Sequence, residues 1–296
     1  MTSRYSILAA AILSVSSGLA GAEIIVGNDL NSSNGANSTI NALFSANRGS
    51  NGGGDQSLQF GDQLQGSEQA DVIIGGLGID VLFGKGGNDV LIGGTEDFNP
   101  FNRDRAFGEQ GDDIFIWTPG DGNDFFDGGD GSDTLIITLI GENQDADGNT
   151  AGAPFFSVSP PGTTGSGDFD GIYINPNTQL PVVDVLAGPG FCDILDRSSE
   201  GLDELNLDHL VQFTLRGPAG QLEQDLLADP SIDPDTRDTG LRISVHLKNT
   251  EYVVCASKDG SQVDVFDLHH NPIVKTSVSD LPETAYRLVK IGRAHV

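Results

Sequence analysis

Aspartate returns at a fixed phase through the first half of this chain. Asp62, Asp71, Asp80 and Asp89 stand nine residues apart, and Asp104, Asp113, Asp124 and Asp133 continue the series once insertions of six and two residues are set aside. Two positions after each comes an apolar residue: Leu64, Ile73, Leu82, Leu91, Ala106, Phe115, Phe126 and Leu135. Glycine fills much of the space before each aspartate, as in "GGLGIDVLF" (75–83) and "GGDGSDTLI" (128–136). Glycine is costly to order and aspartate is a poor strand former, so something must compensate for both. The charge points to a cation. Residues 57–136 hold 16 acidic side chains against only Lys85, Arg103 and Arg105, and the whole chain has a net charge of -28. Such a surface repels nucleic acid and anionic membranes.

In register the units are "SLQFGDQLQ" (57–65), "GSEQADVII" (66–74), "GGLGIDVLF" (75–83), "GKGGNDVLI" (84–92), "GGTEDFNPFNRDRAF" (93–107), "GEQGDDIFI" (108–116), "WTPGDGNDFFD" (117–127) and "GGDGSDTLI" (128–136). Residues 57–136 resemble the RTX, or hemolysin-type, calcium-binding repeat family, whose nonapeptide is G-G-x-G-x-D-x-U-x with U a large aliphatic. Units 75–83 and 128–136 match throughout, and unit 57–65 is the weakest.

The resemblance implies a parallel β-roll. Its six-residue G-G-x-G-x-D parts are turns, its x-U-x parts are short strands, and two units make one turn with U inside. It also implies several bound Ca²⁺ ions. Calcium is a hard cation that takes six to eight oxygens in flexible geometry, and carboxylates with backbone carbonyls supply them. The ligands implied are the aspartates named above and the turn glycines Gly84, Gly86, Gly87, Gly108, Gly111, Gly128, Gly129 and Gly131.

With two units per turn the loops fall into two columns. Asp71, Asp89, Asp113 and Asp133 form one; Asp62, Asp80, Asp104 and Asp124 form the other. Both insertions fall in the second column. The uninterrupted first column is expected to hold ions between Asp71 and Asp89, Asp89 and Asp113, and Asp113 and Asp133. The first of these should be the weakest, because Glu68, Gln69 and Ala70 stand where glycines would help. The second edge, with "EDFNPF" (96–101) and "WT" (117–118), is expected to face a partner. The plainer reading is tolerated loop variation.

The elements that must carry this array come before and after it. Residues 1–22 read as a cleavable export signal: Arg4, the apolar "ILAAAILSV" (7–15), and the small residues Ala20-Gly21-Ala22. The apolar run is too short for a membrane span, so a secreted or cell-surface location is expected, with the periplasm as the other possibility. Residues 23–56 are an Asn/Gly/Ser-rich lead-in, and 138–168 a turn-rich linker. Residues 169–290 read as a β-rich, sandwich-like domain, so the expected class is all-β, a β-roll followed by this domain.

Within the second domain, "GLRISVHLK" (240–248), "EYVVCAS" (251–257) and "SQVDVFDL" (261–268) read as a meander. "IYI", "PVVDVLA", "LVQFTL", "PIVKTSV" and "YRLVK" read as further strands, and "QLEQDLLAD" (221–229) as a short helix. Cys192 and Cys255 are expected to form a disulfide in an oxidising compartment, the alternative being two small buried apolar residues. The ending "IGRAHV" (291–296) back-translates to a common sequencing adapter, so the natural chain is expected to continue beyond Lys290.

No catalytic residue is assigned. The chain has no H-E-x-x-H and no G-x-S-x-G motif, and His209, His246, His269 and His270 are scattered. The expected function is that of an exported calcium-binding protein with a structural, adhesive or surface/matrix role, whose partner would be a cell surface, a polysaccharide or a protein. The alternative is an exported hydrolase with an unrecognised active site in 169–290.

Overall fold

The computed structural model describes residues 22–27, 63–76, 79–94, 103–118, 121–141, 172, 174–196, 202–216 and 243–291. The 1–22 signal (but for its last residue), Asp62, the "EDFNPF" insertion, the "QLEQDLLAD" segment and the last five residues lie outside them.

The repeats alternate between two layers. Strands β1 (Ile24–Val26), β3 (Val72–Gly76), β5 (Val90–Gly94), β7 (Ile114–Trp117) and β9 (Thr134–Ile137) pair in parallel in one sheet; β2 (Gln63–Gln65), β4 (Val81–Gly86), β6 (Arg105–Gln110) and β8 (Phe125–Asp130) do so in the other. Parallel neighbours need a crossover between them, and here each crossover is a strand of the opposite sheet. That is the parallel β-roll, and the described chain is all-β apart from one 3-10 turn and one helix.

The pairing keeps the apolar positions in line: Ile73 lies opposite Leu91, Leu91 opposite Phe115, and Phe115 opposite Leu135. Leu82, Ala106 and Phe126 align likewise in the second sheet. All seven are fully buried between the sheets. Both insertions are absorbed without loss of register, because a period-two strand that slipped by one residue would turn its apolar side chains outward.

The strands continue beyond the repeats. Among the remaining strands are β10 (Leu139–Ile140), β11 (Val183–Asp184), β12 (Gly190–Asp196), β13 (His209–Leu215), β14 (Ile243–Lys248), β15 (Tyr252–Ala256), β16 (Val263–Asp267) and β17 (Val274–Thr276). β14 pairs in parallel with β8, and β15 in parallel with β9. The repeat sheets are thereby extended to orders β12-β13-β14-β8-β6-β4-β2 and β1-β3-β5-β7-β9-β15-β16-β17.

Three sequence expectations need correction. β14 and β15 are not a hairpin: the short connection 249–251 carries the chain from one sheet to the other, so only β15, β16 and β17 form the antiparallel meander. Alternation reports which face of a strand is buried, not which sheet it joins. At the other end, Ile24–Val26, in the segment read as an irregular lead-in, pair with Val72–Ile74.

The third correction is "YRLVK", which lies in helix α1 (Glu283–Ile291) rather than a strand. Ala285, Leu288 and Val289 are its buried positions, a spacing of three and four that makes one helical face. That face packs with Leu281, Ile140, Val183 and Val185 over the outer side of the larger sheet, against Val72, Val90, Ile114 and Val254.

The inner core runs the length of both sheets, from Ile73 to Val253 and Cys255, and includes Trp117, Val211, Phe213, Val245 and Leu247. Trp117 and Thr118 are fully buried. Of the two readings of the "WT" insertion, this burial agrees with tolerated variation rather than a partner-facing side chain. The indole packs on Phe213 with ring centroids 5.1 Å apart, and its Nε1 donates to the Gly122 carbonyl at 3.2 Å. Cys192 on β12 and Cys255 on β15 are joined across the sheets, with Cα atoms 6.3 Å apart.

Candidate metal centre

Each aspartate enters its strand from a turn and is held by the next rung. The Asp71 amide donates to Asp89 Oδ1 at 2.7 Å, Asp89 to Asp113 Oδ1 at 2.8 Å, and Asp113 to Asp133 Oδ1 at 2.7 Å. The second column repeats this: Asp80 donates to Asp104 Oδ1 at 2.7 Å, and Asp104 to Asp124 Oδ1 at 2.9 Å. The first column is longer than the repeats. The Glu23 amide donates to Asp71 Oδ1, and Asp133 donates to Glu251 Oε2, both at 2.7 Å.

One oxygen of each carboxylate is thus committed to backbone. The other is not. Oδ2 of Asp89, Asp104, Asp113, Asp124 and Asp133 is buried and accepts no hydrogen bond. A buried carboxylate oxygen without a donor is expensive. Burial pushes the Asp89 and Asp113 carboxyls up to about 7 and that of Asp133 up to about 8, and it raises Asp104 and Asp124 well above the usual range. Neighbouring carboxylates add to the rise in every case. A cation would reverse both effects.

The glycines make the room. A Cβ at Gly84 would lie 2.3 Å from Asp89 Oδ2 and 2.7 Å from the Gly108 carbonyl; at Gly108, 2.3 Å from Asp113 Oδ2 and 2.4 Å from the Gly128 carbonyl. A side chain there would fill the space into which carboxylate and carbonyl oxygens converge. Gly87, Gly111 and Gly131 stack with φ of 107°, 133° and 147°, a region L side chains rarely adopt. Gly129 sits at φ 103°, but its equivalents Lys85 and Glu109 are held at 78° and 74°. Gly86 closes β4 beside Glu68.

The donor set is therefore buried, anionic, all-oxygen and stacked between successive loops, which fits calcium and not the nitrogen and sulfur preferences of zinc. The first pair differs. Asp71 Oδ2 accepts from the Ser67 amide at 2.6 Å and from Ser67 Oγ at 2.9 Å. Its oxygens are already satisfied, so it has less to gain from an ion.

The sequence did not single out three contributors. Glu23 and Glu251 take aspartate positions at the two ends of the first ladder, but each lies outside the nonapeptide pattern. Asp121, in the unit that carries the two-residue insertion, brings a carboxylate oxygen within 4.8 Å of those of Asp104 and Asp124, and all three residues are buried. The extra acid in "WTPGDGND" was its only visible signal.

The histidines lie elsewhere. His246 is half-buried on the outer face, with a pKa lowered by burial. His269 and His270 both turn to Asp267, at 2.8 and 3.6 Å. With His209, Asp196, Asp208 and Glu251, they line an open cleft of about 620 Å³ beside the C-terminal end of the ladder. Among the described residues, no helix is long and apolar enough to cross a membrane.

Residues 60–97 and 120–136 match the family model of the RTX calcium-binding nonapeptide repeat, in four copies. No curated protein and no solved structure matches the chain.

Proposed function

Taking residues 60–136 as RTX calcium-binding repeats, we propose that this is an exported protein whose roll folds when calcium enters the carboxylate ladders, and that its role is structural or adhesive at a cell surface or in a matrix. The observation that carries the calcium reading is the row of buried Asp89, Asp113 and Asp133 Oδ2 atoms with no hydrogen-bond donor. Calcium supplies two positive charges per hollow. The chain supplies the carboxylates, the inward carbonyls of the turns and a frame whose register is fixed by the buried apolar column.

The hollows between Asp89 and Asp113 and between Asp113 and Asp133 are the strongest sites. The one at Asp71 is weaker, because Ser67 already serves its carboxylate. Asp104, Asp121 and Asp124 form a site on the second edge. The disulfide and the export signal belong to the same reading. An oxidising, calcium-rich exterior completes both cross-links, whereas a calcium-poor cytoplasm leaves the ladders repelling themselves.

Extracellular calcium modules bind at about 10⁻⁴–10⁻³ M. At a hundredfold excess of ion each independent site then adds about 2.7 kcal/mol. Folding is therefore conditional on the ion.

The test is calorimetric titration of the full chain with calcium, beside circular dichroism in chelator and in millimolar calcium. Binding of several ions with a gain of sheet signal is expected. An identical sheet spectrum under both conditions would contradict the proposal. Asp113→Asn should weaken two hollows together while retaining an acceptor for the Asp89 amide. For the surface role, calcium-dependent retention on polysaccharide or on cells is expected; retention that ignores chelator would refute it.

A further inference from the structure

Asn249, Thr250 and Glu251 belong to no nonapeptide, yet they stand where the next loop of the first column would stand. Lys248 is in register with Asp127, which places Asn249 opposite Gly128 as Gly128 stands opposite Gly108. A Cβ at Gly128 would lie 2.3 Å from Asp133 Oδ2 and 2.2 Å from the Asn249 carbonyl oxygen. The same pair of contacts recurs at Gly84 and Gly108. The aspartate position is taken by Glu251, whose Oε2 accepts from the Asp133 amide at 2.7 Å, while the Tyr252 amide donates to the Asp133 carbonyl at 2.9 Å.

The turn is fastened in place. The Asn249 amide donates to Asp208 Oδ2 at 2.9 Å, and its side-chain Nδ2 donates to Asp127 Oδ1 at 2.7 Å. Its φ of 46° is left-handed, which asparagine tolerates better than most residues. A second observation points to a ligand. Asp133 is 0% exposed, and its Oδ2, aimed between the two loops, has no donor.

We propose that Asp133 Oδ2, the Asn249 carbonyl and the Glu251 carboxylate form a further calcium site that fastens β14 and β15 to the end of the roll. It rests on the calcium reading of the repeats. The ligands come from segments 118 residues apart, so occupancy joins the last repeat to a part of the chain that carries no repeat. Asn249, Thr250 and Glu251 also line the open cleft of about 620 Å³. This gives the ion an entry path and leaves room for water to complete its six to eight oxygens. Loops with buried carboxylates on one side only would leave the ladder's last charge uncompensated; the short turn closes it.

Glu251→Gln tests this on the full, disulfide-bonded chain. The amide oxygen still accepts from the Asp133 amide, so the rung survives and only the charge is lost. Calcium is counted calorimetrically, and amide hydrogen exchange is followed over 243–256 with and without the ion. The variant should bind one ion fewer at a concentration that saturates the unaltered chain. It should also lose the calcium-dependent protection of 243–256, about a hundredfold at a hundredfold excess over the dissociation constant.

Asn249→Gly, which keeps the carbonyl and the left-handed turn, should bind the full complement. A full complement with unchanged protection in Glu251→Gln would overturn this site while leaving the repeats' calcium reading intact. A missing ion in Asn249→Gly would overturn the carbonyl's assignment. No binding by the unaltered chain would overturn both readings together.

Discussion

Between Val72 and Ile137 the strands run parallel, and each turn that enters them carries a buried carboxylate. Between Gly190 and Thr276 the same two sheets are completed differently. There β12, β13 and β14 run antiparallel in one sheet and β15, β16 and β17 antiparallel in the other. The Cys192–Cys255 link spans the sheets, and Lys275 neutralises the one buried aspartate of these strands, Asp264, at 2.6 Å. Both halves share one continuous inner core. What differs is how the turns are stabilised. The repeat half stacks like charges, which on the reading proposed above an ion offsets; the other half is cross-linked covalently and pairs its charges within the chain. One fold thus holds a part rich in buried like charges and a part without them in register, because their strands hydrogen-bond.

Calcium removal should separate the halves most strongly. Loss of the two best sites at a hundredfold excess amounts to about 5 kcal/mol. Hydrogen exchange in chelator should therefore accelerate over 72–137 far more than over 263–276. Uniform acceleration would show that the halves unfold as one.

Removing the disulfide with Cys192→Ser and Cys255→Ser attacks the other half. A loss of about 2–4 kcal/mol is expected for a loop of this length. Thermal unfolding checks the loss, and the calcium count of the folded protein should stay the same.

A pH series acts on the ladder carboxylates. Asp89, Asp113 and Asp133 titrate near 7, 7 and 8 in the ion-free fold against 3.8 for the ordinary group. Between those values the native state holds more protons than the unfolded state. The ion-free fold should therefore be most stable at acid pH and lose stability as pH rises from about 4 to about 8. With saturating calcium that loss should vanish, because the ion displaces the protons and neither state then exchanges them across most of the window. Melting curves with chelator and with calcium would show the two slopes; parallel slopes would argue against carboxylate ligation.

The smallest effect concerns Lys85 and Glu109, held at positive φ where the unit 128–136 has Gly129. Lys85→Gly or Glu109→Gly should each raise stability by about 1 kcal/mol or less, the relief of left-handed strain offset by a freer unfolded chain. The calcium midpoint of folding should move down correspondingly.

Much of the roll was legible because its signal is periodic. Asp89, Asp113 and Asp133 and the buried Leu91, Phe115 and Leu135 follow one count, and that count survives both insertions. Glu251 was not legible. It does an aspartate's work from a segment without the repeat, and only the pairing of β15 with β9 reveals its position. The place of Trp117 was open for a related reason: the sequence left both a partner-facing edge and a tolerated insertion, and only the facing sheet, which supplies Phe213, buries it. The parallel docking of β14 and β15 was equally hidden, since "ISVHLK" and "YVVCA" alternate as a hairpin would.

The sequence by itself determined the rung: the glycine turn, the carboxylate, the inward apolar residue and the local excess of negative charge are all short-range and repeat. Only the tertiary structure decided where the stack begins and ends, at Glu23 and Glu251, and which later strands extend it. Those choices rest on hydrogen bonds between segments distant along the chain, and a strand's own residues record which of its faces is buried but not which neighbour it will find.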